Sequence, residues 1–263
     1  MTNTEEFITV DGVRLECAWI NGDMPSGKPC LVFLHEGLGC VALWRNFPKL
    51  LSDTLSLPGF VFSRQGYGAS TSIPLPRPVE FMHHEGLNVL PRVLDEAGIE
   101  SAILVGHSDG ASISIINAGG VGDPRVKGIV LLAAHIFNEE ITVKSIEEAK
   151  VAFETTDLRE KLKKYHGDNV DCAFWGWNGV WLNPDFLEWN IEEFLPRVDL
   201  PTLVIQGEDD QYGTEAQVQG IAAGLRDNCV VKIIADCGHS PHLEQPEQTL
   251  SAIVDFVRPL ATS

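Results

Sequence analysis

One serine in the first half of the chain lies in a setting that could make it a nucleophile. Ser108 occupies the middle of Gly106-His107-Ser108-Asp109-Gly110, directly after the apolar run 102–105 and directly before a helical pattern. A Gly-x-Ser-x-Gly turn between a buried strand and a helix strains the backbone and exposes the serine hydroxyl above the sheet. Such a hydroxyl reacts only when an imidazole takes its proton and a carboxylate orients that imidazole. The sequence therefore predicts Ser108 as a nucleophile and calls for a base and an acid further along the chain.

Two histidines near the end of the chain are candidates for the base. His239 follows the apolar strand pattern 230–235 and precedes the last helical stretch, so it lies on a loop. His242 is three residues farther on, close to the start of that helix, where we expect it to face away from Ser108. His239 is the predicted base, with His242 as the alternative.

The acid is expected among three adjacent carboxylates, Glu208, Asp209 and Asp210, which follow the strand pattern 202–206. In α/β folds, functional side chains gather at the carboxyl ends of the strands. Asp210 is preferred over Asp209, because the spacing from Gly207 lets the chain leave the strand before it turns inward. The alternative is that the three acids simply form a solvated loop.

Backbone amides should stabilise the oxyanion that forms when a serine attacks a carbonyl. The residue after the nucleophile supplies one such N–H, which here belongs to Asp109. A second should come from the glycine-containing loop 35–39 (HEGLG) after the apolar run 30–34, with Gly37 as the expected donor. Alternatively, these glycines only make a strand-to-loop turn. His35 is expected to brace the loop.

The elements that would hold these residues alternate between strand and helix, which predicts an α/β fold with a mostly parallel sheet. The opening segment 7–20 alternates around Asp11-Gly12 and reads as a hairpin. The pattern is interrupted at 137–198, which we interpret as an inserted helical cap, with the core formed by 1–136 and 199–263. The remaining predicted strands are 30–34, 60–62, 103–105, 129–132, 203–205 and 230–234, and the helices are 87–97 (kinked by Pro91), 111–117, 215–225 and 245–257.

Five segments in this order resemble the α/β-hydrolase superfamily, and most closely its compact, capped members that cleave small metabolites: HEGLG, SRQGYGAS, GHSDG, IQGEDD and CGHSPHLEQPE. The resemblance covers nearly the whole chain. It implies a catalytic triad of Ser108, Asp210 and His239, an oxyanion hole and a cap over the site. Glu36 departs from the glycine that usually follows the loop histidine; it could face outward, repel anionic substrates or orient a water. A serine nucleophile argues against haloalkane dehalogenase and epoxide hydrolase chemistry, which use a carboxylate.

Aromatic residues are dense in the predicted cap and favour an apolar or aromatic small molecule as substrate: Phe174, Trp175, Trp177, Trp181, Phe186 and Trp189. Trp177 and Trp181 are the expected contacts, although such a stripe could instead fasten the cap to the core. Arg45 and Arg64 could pair with a substrate carboxylate.

The residues therefore predict a cofactor-independent serine hydrolase that cleaves an ester, lactone or thioester through an acyl-enzyme. The alternatives are a hydrolase of carbon–carbon bonds in ring-cleavage products, a non-acylating lyase or dioxygenase, and a ligand receptor on the same fold.

Composition restricts the partners and the location. The chain has 263 residues and a formal net charge of −18, which disfavours nucleic acid and anionic membranes. Six cysteines without a metal-site spacing suggest reduced thiols, and the acidic N-terminus does not resemble a secretion signal, so a cytoplasmic location is expected. No metal is expected, because the neighbouring His83 and His84 rarely converge on one ion. Assembly into a homodimer is left open.

Overall fold

The computed structural model describes residues 6–22 and 27–261. Residues 1–5, 23–26 and 262–263, which the predicted core includes, lie outside the described residues. The strands form one eight-stranded sheet in the order β1-β2-β4-β3-β5-β6-β7-β8, in which β2 is antiparallel to both β1 and β4 and all other neighbours are parallel. Their bounds are Glu6–Val10 (β1), Val13–Ile20 (β2), Cys30–Leu34 (β3), Gly59–Phe62 (β4), Ala102–His107 (β5), Val126–Leu132 (β6), Thr202–Gly207 (β7) and Cys229–Ile234 (β8). The predicted fold class is confirmed.

Helices cover both faces of the sheet, which explains why β3 and β5 are buried along their whole length. The helices are Phe47–Leu55 (α1), Phe81–His84 (α2), Leu90–Glu96 (α3), Asp109–Gly120 (α4), Glu140–Thr155 (α5), Leu158–His166 (α6), Val170–Trp181 (α7), Glu215–Leu225 (α8), Pro241–Glu244 (α9) and Pro246–Leu260 (α10). Helices α1 and α10 pack against one face of the sheet, and α3, α4 and α8 pack against the other face together with the segment between β6 and β7. Helix α1 has no counterpart among the predicted helices.

Strand register brings the predicted site residues to one edge of the sheet. Leu34 at the end of β3 pairs with Gly106 of β5, so the loop 35–39 begins beside the Ser108 turn. Gly207 at the end of β7 pairs with Ile234 of β8, so the loops that carry Asp210 and His239 leave the sheet side by side.

The irregularity that the sequence predicts at Pro91 takes the form of a π-helical turn, Glu85–Val89, between α2 and α3. The amide of Leu90 donates to the carbonyl of Glu85, five residues earlier. Proline has no N–H and cannot continue this pattern to the carbonyl of Gly86. Asn117 Nδ2 of α4 takes its place, at 2.9 Å from that carbonyl oxygen.

Between β6 and β7, residues 137–198 contain α5, α6 and α7, together with the 3-10 turns Gly167–Asn169, Pro184–Phe186 and Glu192–Arg197. We call this segment the insertion; its bounds are those of the predicted cap. Its two ends meet where the Ile191 amide donates to the Ile136 carbonyl at 2.7 Å. Inside it, the stacked rings of Phe153 and Phe174 join α5 to α7.

Among the described helices, none has both the length and the apolar character needed to cross a bilayer.

A substitution at Gly110 would test how tightly the first turn of α4 packs against β3. A Cβ at Gly110 would lie 2.0 Å from the carbonyl oxygen of Leu34, whereas a Cβ at Gly179 in α7 meets nothing within 4 Å. We expect Gly110→Ala to lower the free energy of unfolding by about 1–3 kcal/mol or more through this backbone clash. Gly179→Ala, the matched control, should raise it by about 0.5–1 kcal/mol by restricting the unfolded chain. Urea denaturation of both variants measures the difference, and equal midpoints would contradict the packing argument.

Candidate active site

Ser108 lies in a sharp turn between β5 and α4. Its backbone angles, φ 52° and ψ −115°, fall in a region that residues with a Cβ rarely adopt. The Ser108 amide donates to the Leu132 carbonyl at 2.9 Å, and its carbonyl accepts from the Ala111 amide at 2.9 Å. A Cβ at Gly106 would come within 2.4 Å of the Gly110 carbonyl oxygen. The two glycines of the motif are therefore required by close backbone contacts.

His239 and Asp210 are hydrogen-bonded to each other. His239 Nδ1 lies 2.9 Å from each carboxylate oxygen of Asp210, which also accepts from Gln206 Nε2 at 2.7 Å and from the Tyr212 amide at 2.8 Å. Burial of Asp210 would raise its pKa, but the hydrogen bond and charge of His239 outweigh it, and the pKa of Asp210 is lowered. Because an ionised carboxylate only accepts, Nδ1 carries a hydrogen, so in the neutral form of His239 the lone pair is on Nε2.

The two alternative residues lie elsewhere. The ring of His242 packs against Trp44 and Phe47, at centroid distances of 4.9 and 5.5 Å, and burial lowers its pKa to about 3. The Asp209 side chain is exposed, and its amide donates to the Cys237 carbonyl. Of the two candidate bases and the two candidate acids, it is His239 and Asp210 that are hydrogen-bonded to each other.

A small cavity of about 90 Å³ contains both Ser108 and His239 on its walls. Pockets for drug-sized ligands are usually about 300–1,000 Å³, so this one is narrow. The loop after β3 forms one wall, and helices α5 and α7 of the insertion form another. Its lining consists of Glu36, Gly37, Leu38, Ser108, His135, Thr142, Ile146, Trp177, Trp181, Tyr212 and His239.

Two backbone amides are candidate donors: that of Gly37, which lines the cavity, and that of Asp109, which follows Ser108. In the described part of the chain, no protein group accepts the amide hydrogen of Gly37. Asp109 is the first residue of α4, so its amide has no partner inside the helix. Trp177 closes over Gly37 so tightly that a Cβ at Gly37 would lie 2.2 Å from the indole ring.

A buried guanidinium holds the loop that carries Gly37. Arg64, 1% exposed, donates to the carbonyls of His35 and Glu36, and its Nη2 lies 3.6 Å from Asp109 Oδ2. His35 Nε2 accepts from the Arg64 amide, and His35 Nδ1 donates to the Glu36 carbonyl at 2.7 Å. His35 thus braces the loop, and Arg64 is engaged in the same network rather than free for a substrate.

The predicted substrate contacts divide into two groups. Glu36, Trp177 and Trp181 line the cavity, and Trp181 Nε1 also donates to Asp109 Oδ1 at 3.3 Å. Arg45 does not line it, because this exposed side chain lies over the ring of Tyr165 in α6, 4.9 Å from its centroid.

Four cavity residues outside the loop 35–39 escaped the sequence analysis, and His135 is the most polar of them. It follows β6 at the same sheet edge as Ser108 and Asp210, and this position was its detectable signal. His135 Nε2 donates to the Tyr212 carbonyl at 3.0 Å, and burial lowers the pKa of His135 to about 4. The others, Thr142, Ile146 and Tyr212, come from α5 and from the loop after Asp210, where local patterns carry no sign of a cavity.

His83 contacts the ring of Phe194 and does not line the cavity. Within residues 6–22 and 27–261, no group of three His, Cys, Asp or Glu side chains is arranged to hold a metal ion.

Residues 31–252 match the model of the alpha/beta hydrolase family. The chain belongs to this family.

Two characterised relatives and one solved structure illustrate the range of that family. The chain is 25% identical over 284 residues to the 2-hydroxy-6-oxononadienedioate/2-hydroxy-6-oxononatrienedioate hydrolase of Paraburkholderia phymatum, which covers 97% of this chain and 96% of that one. It is 29% identical to the human monoacylglycerol lipase ABHD6 over 69 residues, 26% of this chain and only a fifth (20%) of the lipase. The enol-lactonase from Burkholderia xenovorans LB400 superposes with a TM-score of 0.73 at 18% identity, over 96% of this chain and 99% of that one, which shows a shared fold.

The lowered pKa of His242 predicts how stability depends on pH. Below about pH 6.5 the unfolded chain protonates this histidine while the folded chain does not, so stability falls as the pH is lowered. At pH 5 the loss from one such residue approaches about 2 kcal/mol. We expect His242→Phe, which keeps an aromatic ring beside Trp44, to lose less stability than the wild type between about pH 7 and pH 5.

Urea titrations at several pH values measure this effect, and His84→Gln, at an exposed histidine, is the control. Parallel pH dependences of wild type and His242→Phe would show that His242 is not held neutral.

Proposed function

We propose that this protein is a cofactor-independent serine hydrolase that cleaves an ester, lactone or thioester of a small, uncharged metabolite through an acyl-enzyme. The observation that carries the proposal is the pair of 2.9 Å contacts between His239 Nδ1 and Asp210, with Ser108 and His239 on the walls of one cavity. Family membership supports hydrolase chemistry.

In the proposed first step, Ser108 Oγ attacks the carbonyl carbon while His239 Nε2 takes the hydroxyl proton. Asp210 keeps the imidazole in the required tautomer and stabilises the imidazolium that forms. The amides of Gly37 and Asp109 donate to the oxyanion, and the partial positive charge at the start of α4 adds to their effect.

In the following steps, His239 returns the proton to the departing oxygen or sulfur as the carbonyl re-forms, which leaves Ser108 acylated. Water then attacks the acyl-enzyme, His239 takes a proton from it, and Ser108 regains that proton as the acid is released. No cofactor is needed to balance either half-reaction.

The cavity favours a short and uncharged acyl group. At about 90 Å³ it is smaller than an engineered cavity of about 150 Å³ that binds benzene, which favours a short acyl group. Its lining residues include no Lys or Arg, and Arg64 is bound to backbone carbonyls and Asp109. A substrate carboxylate would lose its hydration without gaining a cation.

Hydrolysis of carbon–carbon bonds is the second candidate, favoured by the near full-length similarity to the Paraburkholderia phymatum enzyme. That relative is named for dioates, which carry two carboxylates. The lack of a cation among the cavity-lining residues argues against such a substrate here and places this candidate second.

Acyl transfer is tested first with p-nitrophenyl acetate. We expect Ser108→Ala and His239→Ala to abolish turnover, and Asp210→Asn to lower kcat about 10⁴-fold because the imidazole loses its orienting charge. Asp209→Asn and His242→Phe are the matched controls, since both residues lie outside the cavity, and each should retain activity. Release of nitrophenol measures all five variants.

Activity that survives in Ser108→Ala would contradict the proposed nucleophile. A folded wild type that turns over no ester, thioester or lactone would shift the assignment to a non-acylating lyase or dioxygenase, or to a receptor.

Trp177 should limit the acyl chain, because its ring lies over Gly37 and forms a cavity wall. We expect the wild type to prefer p-nitrophenyl acetate to the octanoate, and Trp177→Ala to shift kcat/KM toward octanoate by about tenfold or more as the wall is removed. Trp19→Ala, at a partly exposed tryptophan on β2, is the control. An unchanged acetate-to-octanoate ratio in Trp177→Ala would show that another wall sets the limit.

A further inference from the structure

A second acid–histidine pair lies beside the first. His107 immediately precedes Ser108, is 1% exposed, and its ring centroid is 5.2 Å from that of His239. His107 Nε2 is 2.8 Å from the backbone carbonyl oxygen of His239, and His107 Nδ1 is 3.4 Å from Glu36 Oε2. The pair therefore connects the loop after β3 with the main chain of the proposed base.

The partners of His107 determine where its hydrogens lie. A carbonyl oxygen can only accept, so Nε2 must carry a hydrogen. His107 Nδ1 and Glu36 Oε2 are within ion-pair distance but make no hydrogen bond, and a lone pair on Nδ1 would be repelled by an ionised Glu36. The two contacts together favour an imidazolium beside a carboxylate, joined to the His239 carbonyl by a hydrogen bond from Nε2.

The groups around His107 favour this charge state. Burial alone would lower the pKa of His107. The negative charges of Glu36, on the loop after β3, and Asp210, on the loop after β7, raise it, as does the hydrogen bond to the His239 carbonyl. Together they outweigh burial, and the pKa of His107 is raised. His107 in turn lowers the pKa of Glu36, although burial alone would raise it. His242 packs on His107 at 4.9 Å, and its own lowered pKa keeps it neutral beside this charge. His239, with its ring centroid 5.2 Å away, is a further titratable neighbour.

The main chain around His239 is held from the other side by one more carboxylate. Glu244 of α9 accepts from the amides of Gly238 and Ser240, each at 2.8 Å. Glu244 thus fixes the backbone amides of the residues on both sides of His239, and His107 fixes the backbone carbonyl of His239.

We propose that Glu36 and His107 form an ionised pair that positions His239, through the hydrogen bond from His107 Nε2 to the His239 carbonyl. Glu36 also lines the cavity, but in this proposal it acts through His107, and His107 acts through the main chain of His239, so both are positioning residues. The inference rests on the proposed function in that it takes His239 as the base. It also assigns a role to Glu36, the departure from the usual loop sequence.

The protonation state is tested by ¹⁵N NMR of the full chain with labelled histidine, in which His107→Gln identifies the His107 signals. We expect both His107 nitrogens to be protonated at neutral pH in the wild type and in Glu244→Gln, and only one in Glu36→Gln. The Asp210-bonded Nδ1 hydrogen of His239 should be visible in the wild type and weaken in His107→Ala. A neutral His107 in the wild type would overturn the proposal.

Kinetics on p-nitrophenyl acetate test the consequence for the base. Glu36→Gln and His107→Gln keep a hydrogen-bonding amide but remove the charge, and should lower kcat about tenfold; His107→Ala removes the donor and should lower it about 100-fold, with KM within about twofold in each case. Glutamine should thus rescue part of the alanine defect.

The possible results separate the two proposals. Equal kcat and an unchanged His239 signal in His107→Ala would overturn the positioning role. A wild type without ester turnover that still shows the charged His107, and a His239 signal that weakens in His107→Ala, would support the pair while the hydrolase proposal fails.

Discussion

The site depends on one backbone constraint, the left-handed turn at Ser108. This turn fits only because β3 and the start of α4 are nearly in contact: positions 106 and 110 have no room for a Cβ. The same closeness brings the amide of Asp109 next to the loop that carries Gly37. This turn, which we call the elbow, therefore fixes the nucleophile and the candidate donor Asp109 through the backbone, and it lies beside the loop that carries Gly37.

Buried charged side chains then hold the Ser108 turn and the loop 35–39 together. Arg64 and Asp109 are both 1% exposed, and further hydrogen bonds offset part of the cost of burying such a pair. Arg64 donates to the carbonyls of His35 and Glu36 and so fixes the loop, while its Nε makes no hydrogen bond to any described residue. Trp181 donates to Asp109 Oδ1 and ties the insertion to the Ser108 turn, while Asp109 Oδ2 makes no hydrogen bond within the described part of the chain and burial raises the pKa of Asp109. Loop, elbow and insertion thus share one buried network.

Sequence reasoning reached the fold and the hydrogen-bonded His239–Asp210 pair because both rest on local patterns: apolar runs, glycine spacing and a carboxylate after a strand. It preferred His239 over His242 from loop position alone. It could not place Arg45 and Arg64, since one arginine lies over an exposed ring and the other is buried, and nothing local distinguishes them. It also missed His135 and the contact between Glu36 and His107, which arise from packing between segments far apart in the chain.

Size selection and oxyanion stabilisation are physically linked in this site. Trp177 belongs to the insertion, yet its ring lies directly over Gly37, whose amide is a proposed oxyanion donor. A side chain at position 37 would push the indole away, and so would an acyl group that occupies the space of the ring. Movement of α7 would therefore enlarge the cavity and expose the donor to water at the same time, which weakens its electrostatic effect. Gly37 therefore lets the Trp177 ring lie close to the backbone, and the same closeness shields the proposed hydrogen bond from the Gly37 amide to the oxyanion from water.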